Sequence, residues 1–354
     1  MRILVYEFAT GGGLLEQAEN WPELASLLAE GRAMVTALAG DFAKLGDAQV
    51  TCLRERRLRP WRPPGCRVAD VADAGQERQQ LERLAAESDW TVVIAPEISG
   101  ILADRCRRVL AAGGRLLAPG LATIELAADK HATAQHLAQS GVRVPEGIAL
   151  ESPAALPEGF PYPAVWKPRD GAGSQGICSV ADAGWKGPPE TWGPGRLEAF
   201  CAGLAASVSF LCGPGGCLPL PPCGQALSSD GRFRYLGGSC PLPPPLADRA
   251  VCLAQRAVAA MPEPLGWLGV DLVLAEKPEN DTVIEINPRM TTSYVGLRAV
   301  ARQNLAAAML RQATGRPLRL NYSARPVQFS ADGSVRRLKP AASGRRLPDA
   351  ASKT

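Results

Sequence analysis

Val270-Asp271-Leu272-Val273-Leu274 and Thr282-Val283-Ile284-Glu285-Ile286-Asn287 are two strand-like runs on either side of Glu276-Lys277-Pro278-Glu279-Asn280-Asp281. Apolar, β-branched runs flanking a polar turn predict an antiparallel hairpin. Pairing that is symmetric about Pro278 puts Asp271 opposite Glu285. Alternation along a strand places Glu285 and Asn287 on one face. Two carboxylates and an amide then converge, a hard-oxygen set suited to Mg²⁺, which is usually held by one or two carboxylates plus substrate phosphates. Val283, Ile284 and Ile286 bracket this point, so an unpaired Glu285 would be costly there. The competing reading is a structural salt bridge from Glu285 to Arg289 or Arg298.

Upstream, Gly171-Ala172-Gly173-Ser174-Gln175-Gly176 has the letters G-x-G-x-x-G. A dinucleotide fingerprint needs a helix to follow, whereas Ile177-Cys178-Ser179-Val180 is strand-like. The glycines are therefore expected to join two antiparallel strands. A hairpin of this kind can fold over nucleotide phosphates and offer backbone N–H groups without side-chain obstruction. Lys167 stands four residues before the loop, placed to reach phosphate oxygens. A flexible surface hairpin is the bland alternative.

Working outward, Ile3-Leu4-Val5-Tyr6-Glu7-Phe8 suits a buried parallel strand. A helical pattern covers residues 22–45, strands are expected near 50–53, 91–95 and 115–118, and a helix near 98–112. Alternating strand and helix predicts an open α/β layer over residues 1–118. Ligands bind beyond strand carboxyl ends in such sheets, so Gly11-Gly12-Gly13 is either a substrate lip or a plain turn. Residues 119–207 open with one helix over 123–139 and carry the glycine loop. Residues 208–324 show strands near 208–211, 234–237, 270–274 and 282–286, with helices over 246–260 and 295–314. The fold class expected is α/β, turning α+β in the C-terminal part. Residues 325–354 lack periodicity and are expected to form a basic mobile tail.

Charge and composition remove several function classes. The 354 residues are 46% hydrophobic and 21% charged, ordinary for a globular chain. The formal charge of +4 is carried by the segment from Arg325 onward, whose seven basic and two acidic residues leave −1 for residues 1–324. A near-neutral body disfavours nucleic acid as a partner. With only His131 and His136, a Ser-His-Asp triad or a His-rich zinc site is disfavoured. No apolar run approaches the ~20 residues of a spanning helix. A cytosolic protein with no membrane partner is expected, and its ten cysteines are read as reduced thiols. Cys212, Cys217 and Cys223 are spaced too widely for a typical zinc site.

Several pieces, taken in order, resemble the ATP-grasp superfamily of carboxylate–amine ligases, over roughly residues 120–315. They are Asp129-Lys130, Val165-Trp166-Lys167-Pro168, the loop from Asp170 to Gly176, Leu197-Glu198-Ala199-Phe200-Cys201, Gly269-Val270-Asp271, and Ile284-Glu285-Ile286-Asn287-Pro288-Arg289. The resemblance implies an ATP-grasp fold behind an N-terminal Rossmann-like pre-ATP-grasp domain. It implies ATP bound through Lys130, Lys167, Gly171, Gly173, Ser174 and Gly176, with adenine against the Glu198, Phe200 and Cys201 strand. It further implies two Mg²⁺ ions, replaceable by Mn²⁺, on Asp271, Glu285 and Asn287. Arg289 would hold the migrating phosphoryl group alongside Lys167, and Arg298 a substrate carboxylate. Small-molecule acid and amine substrates and a homodimer are also implied. One departure stands out: Ala205 occupies a position where the family often has a ribose-binding Glu. A narrower resemblance, in residues 3–13 and in Arg289-Met290-Thr291-Thr292-Ser293-Tyr294-Val295-Gly296-Leu297-Arg298, is to the tyramine–glutamate ligase group of methanofuran-type cofactor biosynthesis. Competing readings are another amino-acid or dipeptide ligase of this type, a small-molecule kinase, and a non-catalytic nucleotide-binding protein.

Overall fold

The computed structural model describes residues 1–15, 25–153, 156–171, 174–185 and 193–338. The N-terminal part holds β1 (Arg2–Glu7), α1 (Ala25–Ala43), β2 (Gln49–Glu55), β3 (Arg67–Val71), α2 (Ala74–Ala86), β4 (Trp90–Ile94) and α3 (Ile101–Ala111). Its strands form a parallel sheet in the order β3-β2-β1-β4. Buried on both faces, β1 and β4 are continuous apolar runs, which is why they were legible. The strand expected at 115–118 is reduced to a single bridge between Thr91 and Leu116.

Next come α4 (Leu121–Ala128), α5 (Lys130–Gln139), β5 (Gly147–Leu150), β6 (Ala164–Pro168), β7 (Cys178–Val180) and β8 (Gly195–Ala199). These four strands make a small antiparallel sheet, β5-β8-β6-β7. The glycine segment joins β6 to β7 as expected, since Trp166 pairs with Cys178 and Ala164 with Val180. The helix expected over 123–139 is instead two helices broken at Asp129. That residue is extended (φ −97, ψ 104), and its carboxylate accepts from the N–H groups of His131 and Ala132. An N-cap with this pairing satisfies two donors that a continuous helix would have used internally.

The remainder contains β9 (Leu204–Gly213), β10 (Gly216–Pro219), β11 (Cys223–Leu227), β12 (Tyr235–Cys240), α6 (Pro244–Ala260), β13 (Gly266–Leu274), β14 (Thr282–Asn287), α7 (Ser293–Val300), α8 (Leu305–Ala313), β15 (Val327–Ser330) and β16 (Val335–Arg337). They build an eight-stranded antiparallel sheet, β14-β13-β9-β11-β12-β15-β16 with β10 on β9. The helix expected over 295–314 is split, because Asn304 caps a second helix with its side chain.

Two further expectations are corrected. The tail expected from residue 325 contributes two strands: β15 pairs with β12, and Phe329 and Val327 are buried. Residues 339–354 lie outside the described residues. Cys212 and Cys217, expected as reduced thiols, sit directly opposite in the β9–β10 hairpin and form a disulfide. Among the described residues no helix is long and apolar enough to cross a membrane.

One apolar core joins the first and last parts of the chain. It runs from Ile3, Val5 and Phe42 through Tyr294 and Leu297 to Met309 and Phe329. Helix α1 thus packs against both the parallel sheet and the α7–α8 pair. At Gly296 a Cβ would lie 2.3 Å from Phe329 Cδ1, so α7 can approach β15 only through a glycine.

Candidate active site

The β13–β14 hairpin has the register the sequence predicts: Asp271 pairs with Glu285 and Gly269 with Asn287, with an irregularity just after Asp271. Asn287 Nδ2 donates to Asp271 Oδ2 at 3.1 Å. Gln225 Nε2, from β11, donates to Asp271 Oδ1 at 2.9 Å. Burial, with the charge of Glu285 in second place, pushes the Asp271 carboxyl up to about 7. Two facing carboxylates with one forced toward its neutral form are a donor set that a divalent cation would relieve, so the residues present fit Mg²⁺. Among the described residues no group of three or more His, Cys, Asp or Glu is placed to hold a metal ion.

Both expected lysines reach this hairpin. The break at Asp129 starts α5 at Lys130, whose Nζ donates to Gly171 O at 2.6 Å and to Glu285 Oε1 at 3.1 Å. The ion pair of Glu285 is therefore with Lys130, not with Arg289 or Arg298. Burial works against ionised Lys130, but Glu285 and Glu97 outweigh it and raise its pKa. Burial likewise opposes ionised Glu285, and Lys130 and Lys167 overcome it, holding that carboxyl low. Lys167, on β6, pairs with Glu198 Oε1 at 2.5 Å and reaches toward Ile284 O at 3.5 Å.

Glu198 is more than a strand position. Its carboxylate, buried with Lys167, also accepts from Arg196 Nε at 3.0 Å. Arg196 continues to Pro145 O and His131 Nδ1, each at 2.8 Å. Phe200 follows β8, is 44% exposed and stacks on Phe233 with ring centroids 6.2 Å apart. The neighbouring Cys201 thiol is pushed up by burial. Gly171 and Ser174–Gly176 are described, and Ser174 and Gly176 both have left-handed backbones (φ 60 and 72). Gly173 lies outside the described residues. Just ahead of the loop, Asp170 Oδ2 accepts from the Ser99 N–H at 2.7 Å.

Arg289 adjoins the hairpin and forms a 3.0 Å ion pair through Nε with Glu97 Oε1, a residue just past the carboxyl end of β4. Arg298 does not join the cluster. It pairs with Asp41 of α1 at 2.5 and 2.7 Å, and it lines a separate groove of about 710 Å³ beside Trp61 and Val335. Residues 11–13 are a buried turn rather than a lip. There Glu7 accepts from the N–H of Ala9 and of Thr10 and from the Thr10 hydroxyl.

Gln225, Arg196 and Glu97 went unnoticed in the sequence. Glu97 carried a usable signal, a lone acid closing the apolar run Val92-Val93-Ile94-Ala95-Pro96 at a strand's carboxyl end. Gln225 carried none, since its partner is 46 residues away in the chain, and Arg196 lies two residues from Glu198 but reaches His131 across 65.

Residues 127–293 match the family described as ATP-grasp domain, and residues 48–124 the one described as pre ATP-grasp 3 domain. The tyramine–L-glutamate ligase of Methanocaldococcus fervens is 23% identical over 322 residues, 89% of this chain and 95% of that one. An ATP-grasp superfamily protein from Archaeoglobus fulgidus has a similar structure, with a TM-score of 0.68 at 22% identity over 93% of this chain and 92% of that one. N5-carboxyaminoimidazole synthetase from Staphylococcus aureus, solved as an ADP complex, aligns with a TM-score of 0.64 at 14% identity over 93% of this chain and 81% of that one.

Proposed function

This chain is an ATP-grasp enzyme of the carboxylate–amine ligase kind, and on that premise we propose that it joins a glutamate-like acid to a tyramine-like amine through an acyl phosphate. The observation that carries the chemical part is the convergence of Asp271, Glu285 and Asn287 with Lys130, and of Arg289 beside them. The substrate part rests on the likeness to the Methanocaldococcus fervens enzyme.

A carboxylate oxygen of the acid attacks the γ-phosphorus of ATP, the bond to the bridging oxygen breaks, and ADP leaves. The amine nitrogen then attacks the acyl carbon, phosphate leaves with the electron pair of the C–O bond, and the amine proton passes to phosphate or to a carboxylate. Neither step needs a histidine. The first needs alignment and charge neutralisation more than covalent help. Lys130 and Lys167 bind phosphate oxygens, and Arg289 stabilises charge on the transferring phosphoryl group. Asp271, Glu285 and Asn287 would hold Mg²⁺, which when bound supplies neutralisation of phosphate charge. Binding ATP requires Lys167 to share Glu198 with phosphate, and Arg196 keeps that carboxylate compensated while it does so.

The test is ADP release with glutamate and tyramine, alone and together, and with hydroxylamine replacing the amine. A ligase gives amine-dependent amide and a trapped hydroxamate. ADP release with a stable phosphoester and no hydroxamate would point instead to a kinase.

A further inference from the structure

We propose that Glu97, supplied by the N-terminal parallel sheet, is a positioning residue that fixes the guanidinium of Arg289 for phosphoryl transfer; the proposal rests on the ligase reading above. Glu97 is 4% exposed and the Arg289 side chain 14%, so their 3.0 Å ion pair is shielded from water. Among the described residues neither Glu97 oxygen has a hydrogen-bond partner. Arg289 and Lys130 are the cations within electrostatic reach of this carboxylate, and Arg289 is the one in direct contact. An acid buried on these terms is costly unless the arginine stays beside it, and the pair holds both partners in place.

The backbone around Glu97 is suited to this. The chain leaves β4 through Pro96 and turns sharply, with Ser99 at φ 53 and Gly100 at φ 68. Glu97 O accepts from the Gly100 N–H at 3.1 Å, and Pro96 O from the Leu102 N–H at 3.0 Å. The carboxylate thus stands on a braced corner rather than a loose loop. On the arginine side the contact is made by Nε. Nη1 donates to Met290 O at 3.3 Å, and no hydrogen bond occupies Nη2 among the described residues. The Nε contact is an ion pair without hydrogen-bond alignment, so Glu97 holds the planar guanidinium by charge, while the Nη1 bond to Met290 O sets the direction of its donors. Glu30, on α1, lies within electrostatic reach of the same arginine and adds a second acid from the N-terminal part.

The test compares wild type, E97Q, E97D, R289K and E97Q/R289K in hydroxamate formation from ATP, glutamate and hydroxylamine. Affinity for Mg-ADP and thermal stability are measured in parallel. Loss of a partner that orients a reacting group should lower kcat about 10–100-fold in E97Q, with ADP affinity within about twofold of wild type and E97D recovering part of the loss. In the R289K background the same substitution should cost less than about twofold, because residues acting as a unit are not additive. The idea fails if E97Q keeps kcat within twofold of wild type, or if it costs the same factor with and without R289K. Should E97Q not fold, E97D in both backgrounds reads the same coupling. A wild type that releases ADP without forming hydroxamate overturns the ligase reading, and the Glu97 comparison is then made on ADP release.

Discussion

At position 285 the exchange of a carboxylate for an amide keeps size and shape while removing one charge. Glu285 is both the partner of Lys130 and half of the facing pair with Asp271. Glu285→Gln should therefore lower kcat for ADP release by ~10²–10³-fold, the usual consequence of losing one preorganised charge, with the far-UV circular dichroism spectrum unchanged. Glu7 offers a separate, pH-based test at a residue outside the proposed metal ligands, though within electrostatic reach of Arg289. Burial lifts its carboxyl from an ordinary 4.5 to about 7, against the hydrogen bonds from Thr10 and Ala9. A folded-state value above the unfolded one means that the native state binds the proton more tightly. The stabilisation from protonated Glu7 is complete below pH 4.5 and is lost as pH rises through about 7. Glu7→Gln cannot titrate, so the stability difference between wild type and variant should change across that window by on the order of 3 kcal/mol. Urea unfolding at pH 4.5 and pH 7.5 measures it; parallel curves for the two proteins would show that Glu7 is already ionised in the native state. The close fit of Glu7 against α1, where a Cβ at Gly31 would lie 2.4 Å from its carboxyl carbon, keeps solvent from relaxing that shift.

Among elements, the break between α4 and α5 is where local sequence and function meet. Asp129→Ala removes the cap of α5 and the ion pair to Arg169. It should cost about 1 kcal/mol of stability and weaken ATP binding about tenfold, or 1.4 kcal/mol, since Lys130 is the first residue of the capped helix. Calorimetry of ATP-analogue binding checks the second figure, and unaltered affinity would separate the cap from the site. The sequence did not disclose this break, because neither Gly nor Pro interrupts residues 123–139 and the apolar spacing continues through Asp129. The β13–β14 hairpin was legible as far as the Asp271–Glu285 pair, since a symmetric turn and period-two alternation favour one register, but the shift that sets Leu272 against Val283 was not. Strands β15 and β16 were not, being only 4 and 3 residues long and rich in Arg and polar residues. The partner of Arg298 was hidden for a related reason. A basic residue one helix beyond the hairpin resembles a ligand-binding group until α1 brings Asp41 against it, 257 residues away.

For the molecule as a whole, the proposed nucleotide site and its frame draw on all parts of the chain. Lys130 and Lys167 come from the segment with the small sheet, Asp271 and Glu285 from the large one, and Glu97 from the parallel sheet. The frame is held by the core that α1 shares with α7, α8 and β15. Phe329, 2% exposed and lodged against Gly296, should be worth about 3–5 kcal/mol to folding as judged by Phe329→Ala. Chemical denaturation measures this, and a loss under 1 kcal/mol would mean that β15 is not integral to the core. The position of β15 also bears on how the chain matures on the ribosome. Every residue of the proposed phosphate and metal cluster has been synthesised by position 289, but β12 keeps an open edge until residues 327–330 emerge and pair with it. A nascent chain paused between those points carries the residues of the proposed site beside an unpaired strand, the kind of edge on which chains associate wrongly. Catalytic competence and protection from aggregation are thus set at different moments of synthesis, the second by a short stretch that touches no reacting group.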